Sequence, residues 1–301
     1  MPGQALRADL LMLLTALIWG SAFVAQRLGM DAIGPFLYSG LRFALGALVL
    51  LPLLLRRPAD GGGEPLNRSL LLGGLLLGLA LTAGINLQQV GLLFTSVTNS
   101  GFITGLYVII VPLLGLLLGQ RAGLGIWLGA SLAVAGMALL SIGPDFRIAA
   151  GDWLQLAGAL VWGAHVLLVG ALAGRHDPVR IAFLQFLTCA LLSLLLAVLF
   201  EDIDLEAIGR AGPAILYGGL VSVGIGYTLQ VVAQKHAIAS HAAIILSLEA
   251  VFAAIAGALL LDEALAPRGY LGCALMLAGM LVAQLWPRRL PVVQERNGSR
   301  R

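Results

Sequence analysis

Long apolar runs alternate with short polar connections along the chain, and ten of the runs are long enough to cross a bilayer. Spanning the hydrocarbon core, roughly 30 Å thick, takes about 20 apolar residues as a helix. The pattern predicts spans 1 to 10 at about 9–27, 34–55, 69–87, 97–118, 123–142, 153–173, 180–200, 212–233, 240–261 and 269–286. We therefore expect an all-α integral membrane protein with ten transmembrane helices.

The chain also repeats itself at an interval of about 143 residues. The matching features are Trp19 with Trp162, Pro35 with Pro178, Leu41-Arg42-Phe43 with Leu184-Gln185-Phe186, Leu87-Gln88 with Leu229-Gln230, and Gly129 and Gly136 with Gly272 and Gly279. Each copy holds five spans, an odd number, so the second copy must enter the membrane from the opposite side. An inverted 5+5 repeat is typical of alternating-access transporters. The predicted units are residues 1–145, residues 146–290 and a cytoplasmic tail at 291–301.

The basic residues of the connections indicate the orientation, because cytoplasmic loops carry an excess of lysine and arginine. Thirteen of the 18 lie on one side of the predicted spans: Arg7, Arg56, Arg57, Arg68, Arg121, Arg175, Arg180, Lys235, Arg288, Arg289, Arg296, Arg300 and Arg301. Four lie on the other side, Arg27, Arg147, Arg210 and Arg268, and Arg42 lies inside a span. We expect a bacterial-type inner (plasma) membrane protein with both termini in the cytoplasm.

Composition excludes a soluble domain. Apolar residues make up 59% of the chain and charged residues 11%, with a mean hydropathy of +0.97; soluble domains carry about 25% charge. The first apolar run follows Arg7 and is predicted to be a retained helix rather than a signal peptide. The pI of 9.2 comes from connections and tail, so we expect no nucleic-acid partner. Cys189 and Cys273 lie in apolar runs, which predicts neither a metal site nor a cofactor.

Three ionisable residues fall near the middle depth of predicted spans, where charge is costly and marks functional candidates. At 1.5 Å per residue, Arg42, His165 and Glu249 lie within about one helical turn of one another in depth. We assign Arg42 to gating or coupling, His165 to substrate binding, and Glu249 to binding or coupling. Each has a structural alternative: Arg42 could tie helix ends together, His165 could be a packed core histidine, and Glu249 could form a structural pair.

Aromatic and amide side chains complete the candidate lining. Trp19 and Trp162 lie near mid-depth, where an interfacial anchor would not be found, and Tyr107 lies about nine residues into span 4. Gln88 and Gln230 occupy equivalent places in the two repeats, one toward each membrane face, and are assigned to gating. Lipid-facing bulk or core packing is the competing interpretation of the tryptophans.

The residues resemble a known family. Ala16-Leu17-Ile18-Trp19-Gly20-Ser21-Ala22-Phe23, Pro35 and Leu41-Arg42-Phe43-Ala44 are similar to the opening of EamA-type members of the drug/metabolite transporter superfamily. Ser247-Leu248-Glu249, Leu261-Asp262-Glu263-Ala264-Leu265 and Leu271-Gly272 are similar to the end of the second repeat. The chain departs from the family at Ala250, where a proline is usual, and the repeat mate of Arg42 is Gln185.

This resemblance implies a ten-helix fold with an inverted repeat, export of small metabolites including amino acids, and a central cavity lined by spans 1, 3, 4, 6, 8 and 9. On that basis the candidate substrate-binding residues are Trp19, Asn86, Tyr107, Trp162 and Glu249.

The leading hypothesis is a secondary transporter that exports small metabolites such as amino acids by alternating access. Efflux of amphipathic drugs or toxic compounds is the alternative. A membrane-embedded lipid-modifying enzyme is a different class, which the scattered histidines and missing catalytic motifs disfavour. No nucleotide-binding loop is present in the sequence, so ATP is not the direct driver. The expected partners are a small-molecule substrate, the lipid bilayer and protons as candidate coupling ion, with the protein a monomer or homodimer.

Overall fold

The computed structural model describes residues 2–55, 66–120, 122–141, 150–263 and 267–286. Across those ranges the regular structure is entirely helical, which confirms the predicted all-α class. The glycine-rich connection after span 2 and the predicted tail at 291–301 lie outside the described residues.

The ten predicted spans correspond to ten helical segments in the described ranges. Spans 1 to 5 are Pro2–Met30, Pro35–Leu55, Arg68–Leu92, Val97–Leu117 and Leu124–Ser141. Spans 6 to 10 are Ala150–Ala173, Pro178–Phe200, Gly212–Gln234, Ala239–Leu260 and Pro267–Leu285, with a short helix, Leu205–Arg210, before span 8. Eight are long and apolar enough to cross a membrane unaided, and spans 5 and 10 are the two with shorter apolar stretches.

Side chains fix several helix starts, because the first N–H groups of a helix lack partners within it. Asp177 accepts hydrogen bonds from the backbone N–H groups of Val179 (3.0 Å) and Arg180 (2.9 Å), ahead of Pro178 in the first turn of span 7. At the start of span 2, Glu201 from the end of span 7 accepts from the Phe36 and Leu37 N–H groups, both at 2.8 Å. One repeat therefore caps a helix of the other.

The spans pack mainly across the two repeats, in a pattern that is symmetric between them. Span 5 packs on span 10, span 2 on span 7, and span 4 on span 9. Span 3 packs on span 6, and its counterpart, span 8, packs on span 1. Exchanging the two repeats leaves this pattern unchanged, as a two-fold relation requires. With five helices in each repeat, the relation inverts one half relative to the other.

Spans 5 and 10 meet through glycine backbones. A Cβ added at Gly129 would lie 2.6 Å from the Gly279 carbonyl oxygen, and one at Gly279 would lie 2.6 Å from the Gly129 carbonyl oxygen. Gly136 lies in the same way against the backbone of Gly272. Small residues permit such close helix approach in membranes, so the matching glycines of the two repeats form one contact.

Candidate functional site

Spans 4 and 9 are interrupted near their middles, at equivalent places in the repeats. Span 4 consists of Val97–Gly105 and Tyr107–Leu117, and span 9 of Ala239–Leu246 and Glu249–Leu260. Tyr107 and Glu249 are therefore the first residues of the two second half-helices. Interrupted helices at a repeat interface are where secondary transporters place their substrate sites.

Proline marks neither break directly. In span 4, Pro112 lies six residues after the break at Leu106 and has no N–H to donate to the carbonyl of Val108, so it loosens the second half-helix and not the break itself. Span 9 has Ala250 where a proline would produce a kink, and yet it breaks at Ser247 and Leu248. There the Ser247 hydroxyl donates to the Ile244 carbonyl at 2.9 Å, a side-chain bond that competes with the helical pattern.

Span 8 contains a wide-turn segment that the sequence pattern did not predict. Residues Tyr217–Tyr227 form a π-helix, a conformation that is rare and often found at functional sites. The Ser222 carbonyl in this segment accepts a hydrogen bond from Trp19 Nε1 at 3.3 Å. The Trp19 indole lies over Gly226, and in the other repeat Trp162 lies over Gly84 of span 3.

A central cavity lies where these irregular segments meet. Its volume is about 30 Å³, counted as the space open to the centre of a water molecule, which is room for two or three waters. It is lined by Trp19, Ala22, Phe23, Gln26, Arg42, Ile85, Gln88, Thr104, Tyr107, Trp162, Val166, Ser222, Tyr227, Gln230 and Glu249. Spans 1, 3, 4, 6, 8 and 9 all contribute, as the family resemblance implied, and span 2 adds Arg42.

Aromatic rings form one wall of the cavity. The Tyr227 ring lies 4.5 Å from the Trp19 ring and 6.2 Å from the Trp162 ring, measured between centroids. The Trp19 indole N–H is bound to Ser222, whereas Trp162 Nε1 has no hydrogen-bond partner among the described residues. The two symmetry-related tryptophans therefore differ, because only Trp162 has a donor free for a guest.

Arg42 and Glu249 bring a guanidinium group and a carboxyl group to this cavity. Arg42 is 1% exposed, with its guanidinium 5.3 Å from the Tyr38 ring centroid and 5.1 Å from that of Phe43. Its Nε and Nη2 atoms have no hydrogen-bond partner in the described part of the chain, nor has Glu249 Oε1. The Tyr107 hydroxyl lies beside the Glu249 carboxyl, although its geometry falls short of a hydrogen bond.

These unpaired atoms are costly to bury. A buried polar group without a partner costs about 1–3 kcal/mol, and more if it is charged. Native proteins leave few such groups, yet Gln26 Oε1, Gln230 Oε1 and the Tyr107 hydroxyl join the atoms already named around this one cavity. Seven of the sixteen unpaired buried side-chain atoms of the described residues lie on this cavity, which favours a site for a polar guest or for water.

Two of the predicted binding residues lie outside the lining. Asn86 donates to the Ser193 hydroxyl and to the Thr82 carbonyl, both at 2.9 Å, beside an apolar groove between spans 3 and 7. His165 is fully buried behind the aromatic wall, where Nε2 meets Gln185 Oε1 at 2.9 Å and the ring packs edge-on against Trp162 at 5.6 Å. The position of His165 suits support of Trp162 rather than contact with a guest.

The amides predicted as gating groups both line the cavity. The Gln88 side chain donates to the Thr104 hydroxyl at 3.0 Å. The Gln88 backbone carbonyl accepts from the Gln155 side chain at 2.9 Å, so these two bonds connect spans 3, 4 and 6. Gln230 is buried on span 8 at the corresponding place. Arg42 and Glu249 both line the cavity, but no ion pair joins these two described residues.

Four lining residues with polar side chains were not predicted from the sequence: Gln26, Thr104, Ser222 and Tyr227. Gln26 and Tyr227 carried a weak signal, since each lies inside a span near a residue already singled out. Among the described residues there is no group of three or more histidine, cysteine, aspartate or glutamate side chains placed to hold a metal ion.

Comparisons with known proteins agree with the geometry. The profile of the EamA-like transporter family matches residues 6–142 and 149–284. A protein of Archaeoglobus fulgidus described as an uncharacterized transporter is 32% identical over 286 residues, which cover 94% of this chain and 87% of that protein. A probable terminal-alkyne amino-acid exporter of Streptantibioticus cattleyicolor is 26% identical over 279 residues, covering 90% and 91%. One crystal structure superposes with a TM-score of 0.79 at 22% identity, covering 93% of this chain and 99% of the other, which shows a shared fold.

Proposed function

The chain belongs to the EamA-like transporter family, and we propose that it is a secondary transporter that exports amino acids or similar small zwitterions by alternating access. The family, its named relatives and the eight long apolar helices make it a multi-pass membrane transporter. The class of substrate, the direction of transport and the alternating-access mechanism are what we propose beyond the family assignment.

One observation carries the substrate class: an unpaired cation and an unpaired carboxyl group line the same small cavity. The free Nε and Nη2 of Arg42 form the forked edge of the guanidinium that binds a carboxylate through two parallel hydrogen bonds. Glu249, with the Tyr107 hydroxyl beside it, is suited to an ammonium group. A zwitterion would satisfy both, and the aromatic wall would hold an apolar side chain. The resemblance to a probable amino-acid exporter supports the same class.

Alternating access is supported by the inverted repeat and by the size of the cavity. Small-molecule sites are usually about 300–1,000 Å³, far above the space available here, so binding and release require the repeats to move. Glu249 is the candidate for proton coupling, because ionisation at mid-depth is costly unless a partner is present and the partner changes as access changes.

Efflux of amphipathic cations is the second candidate, favoured by Trp19, Trp162 and Tyr227, whose ring faces attract cations. The unpaired charge of Arg42 in the same cavity weighs against it, since like charges repel in a medium of low dielectric.

A screen of counterflow activity in liposomes tests the proposal. Purified protein should exchange at least one amino acid with an apolar side chain, but not the amine obtained by removing its carboxyl group, and a pH gradient should change the rate. Exchange of amines and no amino acid would favour cation efflux. Activity toward neither would refute both.

We further propose an inner-membrane location with both termini cytoplasmic, from the charge distribution of the connections. A reporter active only in the cytoplasm should work when fused after Arg301 and fail when inserted near Asp204. Activity at the second position and not at the first would reverse the orientation.

A further inference from the structure

We propose that Glu263 and Gln120 are the closing residues of two equivalent gates, one on each membrane face, and that Glu263 holds its gate closed in this conformation. The inference rests on the proposed alternating access, and it assigns gating to two residues at the ends of spans 4 and 9.

The two residues follow turns at equivalent places in the two repeats. Gln120 follows Gly119 at the end of span 4, and Glu263 follows Asp262 at the end of span 9. Gly119 and Asp262 are the residues with positive φ, 76° and 54°, in the described chain. A left-handed residue of this kind commonly ends a helix, and glycine and aspartate tolerate it. Gln120 N–H then donates to Gly115 at 2.9 Å, and Glu263 N–H to Gly257 at 3.1 Å.

On one face this turn holds the start of span 4. The Glu263 carboxylate accepts hydrogen bonds from the backbone N–H groups of Val97 at 3.2 Å and Thr98 at 3.3 Å, and from the Thr98 hydroxyl at 2.6 Å. These are first-turn N–H groups with no partner inside the helix, and a negative charge is favourable there. The Thr95 hydroxyl donates to Asp152 at 2.7 Å, which fastens the same segment to span 6. The end of span 9, the start of span 4 and span 6 are thereby joined.

On the other face the corresponding contact is not made. Gln120 is exposed, and together with Ala239 and Ser240 at the start of span 9 it lines a pocket of about 340 Å³. A pocket of about 310 Å³ also lies beside Glu263 and Val97, so the two faces differ in the hydrogen bonds that are made and not in the volume of the pocket. Ser240 is the counterpart of Val97. The N-cap position of span 9 is Ile238, which provides no side-chain cap. Span 9 is held at this end through His241, whose Nε2 lies 3.0 Å from Asp9 of span 1.

The charge difference between the two closing residues predicts that one gate stays closed longer than the other. A carboxylate binds helix N–H groups more strongly than a neutral amide does, so the gate with Glu263 should stay closed longer than the gate with Gln120. By the charge distribution of the connections, the Glu263 gate faces the outside. Movement of the repeats would break the Glu263 contacts and bring Gln120 to the start of span 9.

Accessibility of single cysteines tests this without any substrate. In protein with Cys189 and Cys273 replaced by alanine, A22C places a thiol in the cavity about 12 Å from the end of span 1 on the Glu263 face. S240C places one in the pocket opposite Gln120. A membrane-impermeant maleimide is then applied to proteoliposomes of known orientation from either side.

E263Q should raise the initial labelling rate of A22C from the Glu263 face at least fivefold, and Q120E should lower that of S240C from the other face at least threefold. The matched control is E206Q, which removes an exposed carboxylate whose contact is the surface pair with Arg210. If E263Q unfolds, T98V takes its place, because it removes the shortest contact and leaves the carboxylate.

Labelling of A22C in E263Q and in T98V at the rate of E206Q would overturn the gate assignment. Because labelling needs no transport, the two proposals fail separately. A protein that shows the E263Q effect but exchanges none of the screened compounds keeps the gate and loses the proposed substrate class.

Discussion

Replacing Arg42 with glutamine, the residue at the equivalent position of the second repeat, tests the proposed carboxylate site directly. The free Nε and Nη2 atoms would make two hydrogen bonds to a substrate carboxylate, each worth about 1.5–3 kcal/mol because the groups are charged. Glutamine would restore about 1 kcal/mol through one neutral bond. The net loss is about 2–5 kcal/mol, which corresponds to a fall in kcat/KM of about 30- to 4,000-fold.

The assay is counterflow of the best amino-acid substrate, beside the amine that lacks its carboxyl group. R42Q should remove most of the preference for the amino acid, and R42K should not restore it, since a lysine ammonium lacks the planar fork. Thermal stability separates binding from a structural role. Arg42 is a buried charge without an ion pair, so its loss should leave the melting temperature unchanged or raise it. An R42Q protein that melts well below the wild type, or keeps a third of its kcat/KM, would refute the reasoning.

Three further predictions follow from the same cavity. E249Q should abolish the response to a pH gradient. If substrate exchange persists in that variant, Glu249 acts in coupling, and if exchange is also lost, it acts in binding. Wild-type behaviour in both assays would make Glu249 structural. W162F should raise KM about fivefold because it removes a free indole donor worth about 1 kcal/mol, while W19F should lower the melting temperature instead. Equal effects on KM would contradict this difference. G20A should destabilise the protein by about 1–3 kcal/mol, since its Cβ would lie 2.7 Å from the Glu249 carbonyl oxygen and 2.8 Å from the Ala253 nitrogen. G73A, whose Cβ would meet only the terminal methyl groups of Leu172 and Ile181 at 3.2 Å or more, should cost less in thermal unfolding.

The fold was accessible from the sequence because the constraints behind it are strong. A bilayer imposes a minimum length on each apolar run, and an odd number of runs in each repeat dictates inversion. In span 4, Pro112 predicted a weakened helix but not the position of the break at Leu106. The break in span 9 had no such signal, because it depends on the Ser247 hydroxyl and on packing in place of a proline.

The lining of the cavity was harder to predict, for a physical reason. Most spans are apolar all round, so hydrophobic periodicity does not tell which face of a helix points inward. The position of Arg42, His165 and Glu249 along their spans predicted a common depth in the membrane. It could not predict that the helix face with His165 points behind the aromatic wall and not into the cavity. Asn86 was assigned through family resemblance and lies beside Ser193 instead. The π-helix of span 8 contains Ser222 and Tyr227, and its Ser222 carbonyl accepts from Trp19 Nε1, a tertiary contact that hydrophobic periodicity does not reveal.

The packing of each half against the other has a consequence for how the protein is made. Ribosomes add about 5–20 residues each second, so span 10 follows span 5 by about 7–30 s. During that interval the glycine face of span 5 has no helix to meet and must lie against lipid or an insertion factor. Nascent chains that stop after the first repeat would carry five inserted but unpacked helices, which makes arrival of the last helix the step that commits the protein to its native form.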